Sequence, residues 1–287
     1  MSHLKSTITS LIPIILLFTA VNAHADFQNA VGLGIFQVDY NDGDKSDETG
    51  LIAAHFFETV DTSKGPLDEA IFMQRTAGIG GSVSREDGNL GTTNYDGNTY
   101  GVALTVSRIT TPFVFNIAYN QGERDYSGVI NYSSDITFYY VSVGYYVEQY
   151  TLLTIGHSKY EAKYSGISTA KITSDANDIS LKKLFLYDND TALSLFGSYS
   201  KSEDQDGDQA QIYEVGGTYY PDRQLGFGVH MAQFDIDNSS DTKAVGLMAS
   251  FYINSSFNLS ATYYEYMPDD AAERDYNSMS INGSMLF

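Results

Sequence analysis

The sequence predicts an all-β protein, a transmembrane, antiparallel, up-and-down β-barrel of about 14 strands, preceded by a cleavable signal peptide. Strand counts of about 12 or 16 are the alternatives. Three observations predict this fold. Apolar and polar residues alternate in runs of about ten residues. Very short turns and longer polar connections follow one another along the chain. The last alternating run ends on an aromatic residue, Phe287.

The first residues have the features of a signal peptide. Lys5 supplies a positive charge, residues 11–21 form an apolar run, and residues 23–25 (AHA) fit the small-x-small cleavage pattern. The apolar run is too short to cross a bilayer as a helix. We therefore predict a signal peptide at residues 1–25 and an outer-membrane β-barrel at residues 26–287.

The composition excludes several classes of protein. The chain has 287 residues, a formal charge of -20 and no Cys. Without Cys, an exported chain cannot be a small disulfide-stapled domain. Such an acidic chain is a poor candidate for binding nucleic acid, because phosphates are bound by Lys and Arg. After the signal peptide, no apolar run approaches the roughly 20 residues that a membrane-spanning helix needs.

The predicted strands follow one another at a regular spacing. Long loops are predicted at the acidic residues 41–48 (NDGDKSDE) and at residues 87–98 and 166–178, and a tight turn at residues 61–66 (DTSKGP). No segment is predicted to plug the barrel, so we expect side chains and loops at the mouth to narrow it. The predicted strands are Asn29–Tyr40, Gly50–Glu58, Leu67–Arg85, Thr99–Ile109, Phe113–Asn120, Ile136–Val147, Tyr150–Tyr164, Ile179–Tyr187, Ala192–Lys201, Gln211–Tyr220, Leu225–Asp237, Lys243–Ile253, Phe257–Met267 and Asp275–Phe287.

The apolar faces of these strands favour a barrel in lipid over a soluble sandwich. A sandwich has one interior, which is too small for so many apolar faces, whereas lipid covers all of them and closure satisfies the backbone. Aromatic residues near the predicted strand ends suit the two membrane interfaces, where Tyr and Phe take the place of the missing Trp. These residues are Phe113, Tyr119, Tyr139, Tyr187, Tyr199, Tyr213, Tyr219, Phe251, Phe257 and Phe287.

The terminal strand resembles the C-terminal strand of bacterial outer-membrane β-barrels. It alternates an apolar face with a polar one and ends on Phe287. The resemblance implies that it closes the barrel against the first strand and carries an aromatic end that the barrel-assembly machinery recognises. The residues that we assign to this C-terminal assembly signal are Tyr276, Met279, Ile281, Met285 and Phe287.

A second resemblance lies near the start of the mature chain. Phe56, Phe57, Glu58 and Val60, followed by residues 64–75 (KGPLDEAIFMQR), are similar to the N-terminal signature of the putative general bacterial porin family of Gram-negative outer membranes. This resemblance implies passive diffusion through a β-barrel. It supplies no catalytic residues and no known solute.

Catalytic and metal-binding chemistry finds little support. His157 and Ser158 are adjacent in a predicted strand, so their side chains point to opposite faces and cannot form a catalytic pair. Asp204, Asp206 and Asp208 suggest a calcium loop, but Gln209 stands where that loop needs Gly. We predict no enzymatic activity, no cofactor and no metal site.

The predicted function is that of a porin, a water-filled pore for passive diffusion of ions and small hydrophilic solutes. Acidic loops predict a weak preference for cations. The alternative is a closed structural, receptor or adhesin-type barrel that acts through its acidic external loops. The candidate pore-lining residues are Arg75, Arg108, Asn116, Asn120, Lys182, Glu214, Thr218, Thr262 and Tyr264.

The predicted location is the outer membrane of a Gram-negative bacterium, reached by export with a cleaved N-terminal signal peptide. The expected partners are outer-membrane lipid and lipopolysaccharide, the barrel-assembly machinery and small hydrophilic solutes. Nucleic acid is not expected as a partner. Association into a homo-oligomer is left open.

Lys182 and Lys183 are adjacent in one predicted strand, so they must point to opposite faces. A charged side chain facing lipid is costly at the midplane and much less costly near an interface. We expect Lys182 to point into the barrel and Lys183 to extend toward the interface, or else a shorter strand at this position.

Overall fold

The computed structural model describes residues 27–63, 65–128, 131–166, 170–187, 190–237, 241–254, 256–269 and 275–287. The predicted signal peptide at residues 1–25 lies outside these ranges. Parts of the predicted connections 188–190, 238–242 and 268–274 also lie outside them.

Fourteen antiparallel strands form a closed barrel, as the sequence predicts. Each strand pairs with the next one along the chain, and β14 pairs with β1. The strands are β1 Phe27–Tyr40, β2 Lys45–Val60, β3 Gly78–Leu90, β4 Thr93–Ser107, β5 Phe113–Ser127, β6 Tyr132–Glu148, β7 Thr151–Ser165, β8 Ala170–Leu186, β9 Ala192–Asp204, β10 Gln209–Tyr220, β11 Leu225–Ile236, β12 Thr242–Asn254, β13 Phe257–Pro268 and β14 Tyr276–Leu286.

The last strand closes the ring against the first, as predicted. Ile281 lies opposite Ile35 in this pair. The carbonyl of Phe287 accepts hydrogen bonds from the backbone N–H groups of Gln28 (3.2 Å) and Asn29 (2.8 Å), and its own N–H donates to Asn29 (3.0 Å). The hydrogen bonds that close the barrel therefore extend to Phe287.

The strand faces divide the side chains between the outer wall and the lumen. On β4, Val102 and Val106 are exposed on the outside, whereas Ser107 faces inward and is buried. On β6, Val141 and Val143 are likewise exposed, and Ser142 between them is buried. The large apolar side chains thus form an exposed outer band, which suits contact with lipid and not with water.

The strands are longer than predicted, and the predicted long loops are mostly paired β-hairpins. The first connection is confined to residues 41–44, and Lys45 already belongs to β2. Only Gly91 and Thr92 separate β3 from β4, with Gly91 at φ 63° as tight hairpin turns require. Residues 170–178 belong to β8. The predictions of loops at 41–48, 87–98 and 166–178 are therefore wrong, because strand pairing continues above the lipid, where the outward face is polar.

The predicted third strand is wrong over its first half. Leu67–Glu69 forms a 3₁₀ turn, Ala70–Gln74 forms a short helix, α1, and β3 begins only at Gly78. Asp68 and Glu69 lie in the first turn, where carboxylates are favoured. Arg75 ends α1 in the left-handed region at φ 56°. Within the described ranges, no helix has the length and apolarity needed to cross a membrane.

Candidate functional site

The connection between β2 and β3 crosses one mouth of the barrel. We call residues 61–77 the mouth segment; Lys64 within it lies outside the described residues. Both chain ends of the barrel lie at the same rim as this segment, which we call the terminal rim. The mouth segment contacts β6, β8, β10 and β12, so it reaches from β2 and β3 to the opposite wall.

Two adjacent carboxylates fix the first turn of the mouth segment. Glu69 is almost completely buried; it accepts a hydrogen bond from the Tyr220 hydroxyl (3.2 Å) and pairs with the Lys182 ammonium group (2.7 Å). Asp68 accepts hydrogen bonds from the hydroxyls of Tyr252 (3.1 Å) and Ser250. Charge-assisted hydrogen bonds of this kind are stronger than neutral ones. The carboxylates therefore dock the segment onto β8, β10 and β12.

The helix α1 is held against β6 by aromatic and cationic contacts. The Tyr146 hydroxyl donates to the backbone carbonyl of Phe72 (3.0 Å), and the two rings lie 5.6 Å apart. The Arg75 guanidinium lies 3.8 Å from the centre of the Tyr146 ring and donates to the carbonyl of Gln149 (3.0 Å). Cation–π contacts of this type stabilise a partly desolvated site. The end of the segment is thus tied to the turn after β6.

An apolar core and one arginine complete the docking. Leu67 is fully buried with Phe27, Val60 and Leu286, which belong to three different strands. The guanidinium of Arg223, in the turn between β10 and β11, donates to the carbonyls of Gly65 (3.2 Å) and Thr62. The mouth segment therefore packs against the inner wall at the terminal rim, where the sequence predicts the start of a strand and no plug.

The sequence does contain a signal for this segment. Pro66 followed by Asp68 and Glu69 is typical of a helix start, and Leu67, Ala70 and Ile71 have helical spacing. A strand pattern would need alternation, which is absent here. The contacts with Arg223 and Tyr220, more than 150 residues away, leave no local signal.

Replacing Glu69 with Ala is expected to release the mouth segment. The change removes the carboxylate that Tyr220 and Lys182 contact, at a cost of about 1–3 kcal/mol to docking. The chain has no Cys, so an Ala70→Cys substitution gives one buried probe. We expect a thiol reagent to label this probe about tenfold faster when Glu69→Ala is added. Glu265→Ala, on the outer wall of β13, is the matched control; equal labelling in both would contradict the docking role.

Most of the predicted pore-lining residues face the lumen. Asn116 accepts from the Thr105 hydroxyl and donates to the Ser142 hydroxyl, both at 2.9 Å, which forms a polar band across β4, β5 and β6. The hydroxyl of Tyr264 on β13 lies 2.6 Å from Nδ1 of His230 on β11. Four further predicted pore-lining residues also face the lumen, as the strand pairing shows: Asn120, Glu214, Thr218 and Thr262.

Two predicted pore-lining residues do not lie on strand positions facing the lumen. Arg75 is the C-terminal residue of α1, so it belongs to the mouth segment and not to β3. Arg108 is exposed in the turn between β4 and β5 at the terminal rim. Both assignments fail because the predicted strands were extended through residues that turn.

Lys182 and Lys183 point to opposite sides of β8. Lys182 faces inward, contacts Glu69 and lies 4.6 Å from the Phe72 ring centre. Lys183 faces outward near the terminal rim, where it pairs with Glu148 (2.9 Å) and lies over Phe185. This arrangement has the orientation that the sequence predicts, and the lipid-side lysine avoids the midplane.

Carboxylates outnumber basic side chains among the strand residues that face the lumen. Among the described strand residues, Arg124 and Lys182 are the Lys and Arg side chains that face the lumen, and each is paired with a carboxylate, Glu86 and Glu69 respectively. Three other inward carboxylates, which make no ion pair among the described residues, are Glu48, Asp178 and Glu214. Glu214 is among the pore-lining residues that the sequence predicts, whereas Glu48 and Asp178 are not.

The lumen is aromatic toward the rim opposite the mouth segment, which we call the loop rim. Tyr126 and Tyr132 stack with ring centres 4.3 Å apart, and Tyr266 and Tyr276 stack at 4.2 Å. Phe138, Tyr160 and Ala162 form a further buried cluster, as do Phe234, Ala244 and Tyr266. Aromatic side chains therefore lie in the lumen toward the loop rim, and the mouth segment lies at the terminal rim.

The acidic turn between β9 and β10 is held by hydrogen bonds to one of its own carboxylates. The Asp204 carboxylate accepts hydrogen bonds from the backbone N–H groups of Asp206 and Asp208, both at 2.9 Å. Among the described residues, no group of three or more His, Asp or Glu side chains has the arrangement of a metal site. His157 and Ser158 point to opposite sides of β7, so the pair has no catalytic geometry.

The sequence itself places this chain in a family. The family model for putative general bacterial porins matches residues 1–173, which is more than half of the chain. This chain belongs to that family. The match spans the mouth segment and the strands on either side of it, so the resemblance noted at residues 56–75 is confirmed. No curated protein matches the sequence.

Solved structures share the fold. The Acinetobacter baumannii outer membrane protein Omp33 superposes with a TM-score of 0.64 at 19% identity, over 91% of this chain and 99% of that one. The Ralstonia pickettii toluene transporter TbuX gives a TM-score of 0.59 at 8% identity, over 92% and 90%. The Pseudomonas putida toluene transporter TodX gives 0.54 at 8%, over 92% and 90%. Together with the family, these barrels identify a channel-type protein of the outer membrane.

Proposed function

We propose that this porin forms a water-filled pathway for passive diffusion of ions and small hydrophilic solutes, with a weak preference for cations. The observation that carries this proposal is the excess of carboxylates over basic side chains in the lumen. Glu48, Asp178 and Glu214 contribute negative charge to the lumen, while the ion pairs of Arg124 and Lys182 neutralise the inward bases. Charged side chains that line a pore set its ion preference.

The polar band in the middle of the lumen supports a wet pathway. Thr105, Asn116 and Ser142 make hydrogen bonds along the wall, and Ser198 donates to Glu214 (2.8 Å). These groups offer donors and acceptors to water and to hydrated solutes. At 8% identity, the similarity to the two toluene transporters supports the shared fold and gives no information about the solute.

The hairpins indicate which rim faces outward. On β5, the outer wall changes from apolar to polar after Tyr119, yet the strand continues to Ser127. The loop rim therefore projects beyond the lipid, whereas the strands at the terminal rim end close to Phe113 and Phe257. We assign the loop rim to the cell exterior and the mouth segment to the periplasmic side, as short turns in such barrels suggest.

The second candidate function is a closed barrel with a structural or receptor role. The docked mouth segment favours it, because the segment spans the lumen between opposite walls. The short external connections disfavour it, since they offer little surface to a large partner. The proposed location also includes export through the signal peptide at residues 1–25.

A planar-bilayer experiment separates these functions. The folded, purified protein is expected to give stepwise conductance, and in a gradient of low-concentration KCl the reversal potential is expected to have the sign of a cation-preferring pore. Low salt is needed because screening weakens such preferences. A membrane that stays silent after verified insertion would favour the closed barrel, and anion preference would contradict the proposed charge asymmetry.

Replacing Glu214 with Gln tests the role of the lumen carboxylates. Loss of one of the three unpaired inward charges is expected to move the reversal potential toward zero, and a Glu48→Gln/Glu214→Gln double variant to move it further. Glu265→Gln is the matched control, because Glu265 is exposed on the outer wall of β13. Equal shifts in the control and in the lumen variants would assign the preference to general surface charge.

A further inference from the structure

Aromatic rings and glycines alternate across the lumen wall of five adjacent strands. The directly paired residues, from β9 to β13, are Phe196, Gly216, His230, Gly246 and Tyr264. All five face the lumen, because the residue before each of them is exposed on the outer wall. We call Phe196, His230 and Tyr264 the ring row. Its three rings come from three separate strands, so their alignment depends on the register of the barrel.

The two glycines let the rings lie along the wall. A Cβ atom at Gly216 would lie only 2.5 Å from Cε1 of Phe196, and a Cβ atom at Gly246 would collide with the ring of Tyr264. Carbon atoms in contact are normally about 3.5–4.0 Å apart. Each ring therefore occupies the space of a missing side chain on the neighbouring strand and does not extend across the lumen.

His230 lies between the other two rings. Its ring centre is 4.9 Å from that of Phe196 and 5.5 Å from that of Tyr264, in edge-to-face arrangements. The contact between its Nδ1 and the Tyr264 hydroxyl fixes these two side chains relative to each other. All three rings are only half-buried. The ring row is therefore one packed unit, and part of each ring remains open to the lumen.

One carboxylate adjoins the ring row. Glu214 lies on β10 directly opposite Ala232, which is too small to cover it. Its carboxylate accepts a hydrogen bond from the Ser198 hydroxyl (2.8 Å) and makes no ion pair among the described residues. It is close enough to His230 and Tyr264 to interact with both electrostatically. The ring row thus has an unpaired negative charge at its side.

A carboxylate beside aromatic rings suits a cation that carries an apolar group. An ammonium group pairs with the carboxylate, the rings attract the same charge, and the apolar group packs on them. An inorganic cation has no apolar group to pack, and an uncharged ring makes no ion pair. Anions find no partner here, because Lys182, directly opposite Phe196 on β8, is already paired with Glu69.

We propose that the ring row and Glu214 form a solute site for small organic cations. The ammonium group of the solute binds Glu214, and its apolar or aromatic group packs on Phe196 and Tyr264. This inference rests on the proposed function, because a solute reaches the ring row through the water-filled lumen. It adds a solute class to that pathway, and binding there is weak enough to allow release, as conduction requires.

Three probes separate the charge from the ring. Benzylammonium carries both, methylammonium carries only the charge, and benzyl alcohol carries only the ring. Titration of the detergent-solubilised full barrel, followed by saturation-transfer NMR of the probe, measures binding without requiring conductance. Benzylammonium is expected to bind at least about tenfold more tightly than either of the other probes. In a planar bilayer it is expected to reduce the potassium current at concentrations at which the other two have no effect.

Two variants locate the binding. Glu214→Gln and the double variant Phe196→Leu/Tyr264→Leu are each expected to weaken benzylammonium binding about tenfold. Glu48→Gln is the matched control for charge, because Glu48 is an unpaired inward carboxylate on β2, away from the ring row. Phe227→Leu, on the outer wall of β11, is the matched control for the rings. Heat-modifiable mobility reports that each variant has folded.

Three results would overturn the proposal. Equal binding of the three probes by the unaltered protein would show that charge and ring are not recognised together, and this measurement needs no variant. Unchanged binding in both ring-row variants would place the site elsewhere. Tighter binding of benzyl alcohol than of benzylammonium would assign the ring row to uncharged aromatic solutes. A silent bilayer contradicts the proposed function alone, and the NMR titration then still decides whether the ring row binds the cation.

Discussion

Replacing residues 61–76 with a four-residue Gly-Ser linker is expected to raise the single-channel conductance severalfold. The mouth segment spans the terminal rim and is held there by Glu69, Asp68 and Arg223. The linker still joins β2 to β3, whose pairing at Phe56 and Gly78 lies within the barrel wall. Planar-bilayer recordings of the folded variant measure the change.

A control for this replacement lies on the same rim. The same linker in place of Arg108–Thr111 keeps the length of a turn whose backbone makes no hydrogen bond to the mouth segment among the described residues, and it should leave conductance unchanged. The heat-modifiable mobility of each variant reports whether its barrel has closed. A folded variant without the mouth segment that conducts like the unaltered protein would show that the segment does not obstruct the pathway.

Loss of the aromatic end of β14 is expected to reduce the yield of assembled protein severalfold. Phe287→Ala retains the backbone hydrogen bonds to Gln28 and Asn29 and removes only the exposed ring, whereas deletion of Phe287 removes both. Met279, Ile281 and Met285 remain exposed on the lipid side in either variant. Quantitative detection in isolated outer membranes measures the yield, and single-channel recordings measure the protein that does insert.

The two variants separate recognition from closure. If the assembly machinery reads the ring, Phe287→Ala and the deletion lower the yield alike while conductance stays constant. If closure of β1 with β14 matters most, the deletion alone has a large effect. Leu33→Ala, which removes an exposed apolar side chain from the outer face of β1 and lies outside the assembly signal, is the matched control. An unchanged yield in both Phe287 variants would contradict the assembly signal assigned to this strand.

The sequence predicted the strands of the lipid-exposed wall correctly, because alternation there has one physical cause. Val102 and Val106, or Val141 and Val143, must be apolar on the outside to contact lipid, and the intervening residues must be small or polar to fit the lumen. Above the lipid this constraint disappears. Residues 45–49 and 170–178 pair as strands although their outward faces are polar, so no apolar outward face indicated them.

The lumen was only partly predictable, for a related reason. The inward orientation predicted for Asn116, Glu214 and Tyr264 agrees with the structure, because these residues lie on strands with a clear apolar outer face. Arg124 and Glu86 were missed because they lie beyond the apolar band, where the polar outer residues conceal which side faces inward. Their pairing depends on the register of three strands, β3, β4 and β5, and no single strand reveals it.

By itself the sequence determined the closed barrel, its approximate strand number and the residues of the apolar outer band, because the period of two and the membrane act on each strand separately. Only the tertiary structure shows that the mouth segment crosses the terminal rim and packs against the opposite wall. Glu69 lies beside Tyr220 and Lys182 because closure brings β8 and β10 opposite the connection between β2 and β3. A buried carboxylate needs such partners, and closure supplies them from parts of the chain that the local pattern of residues 61–77 cannot indicate.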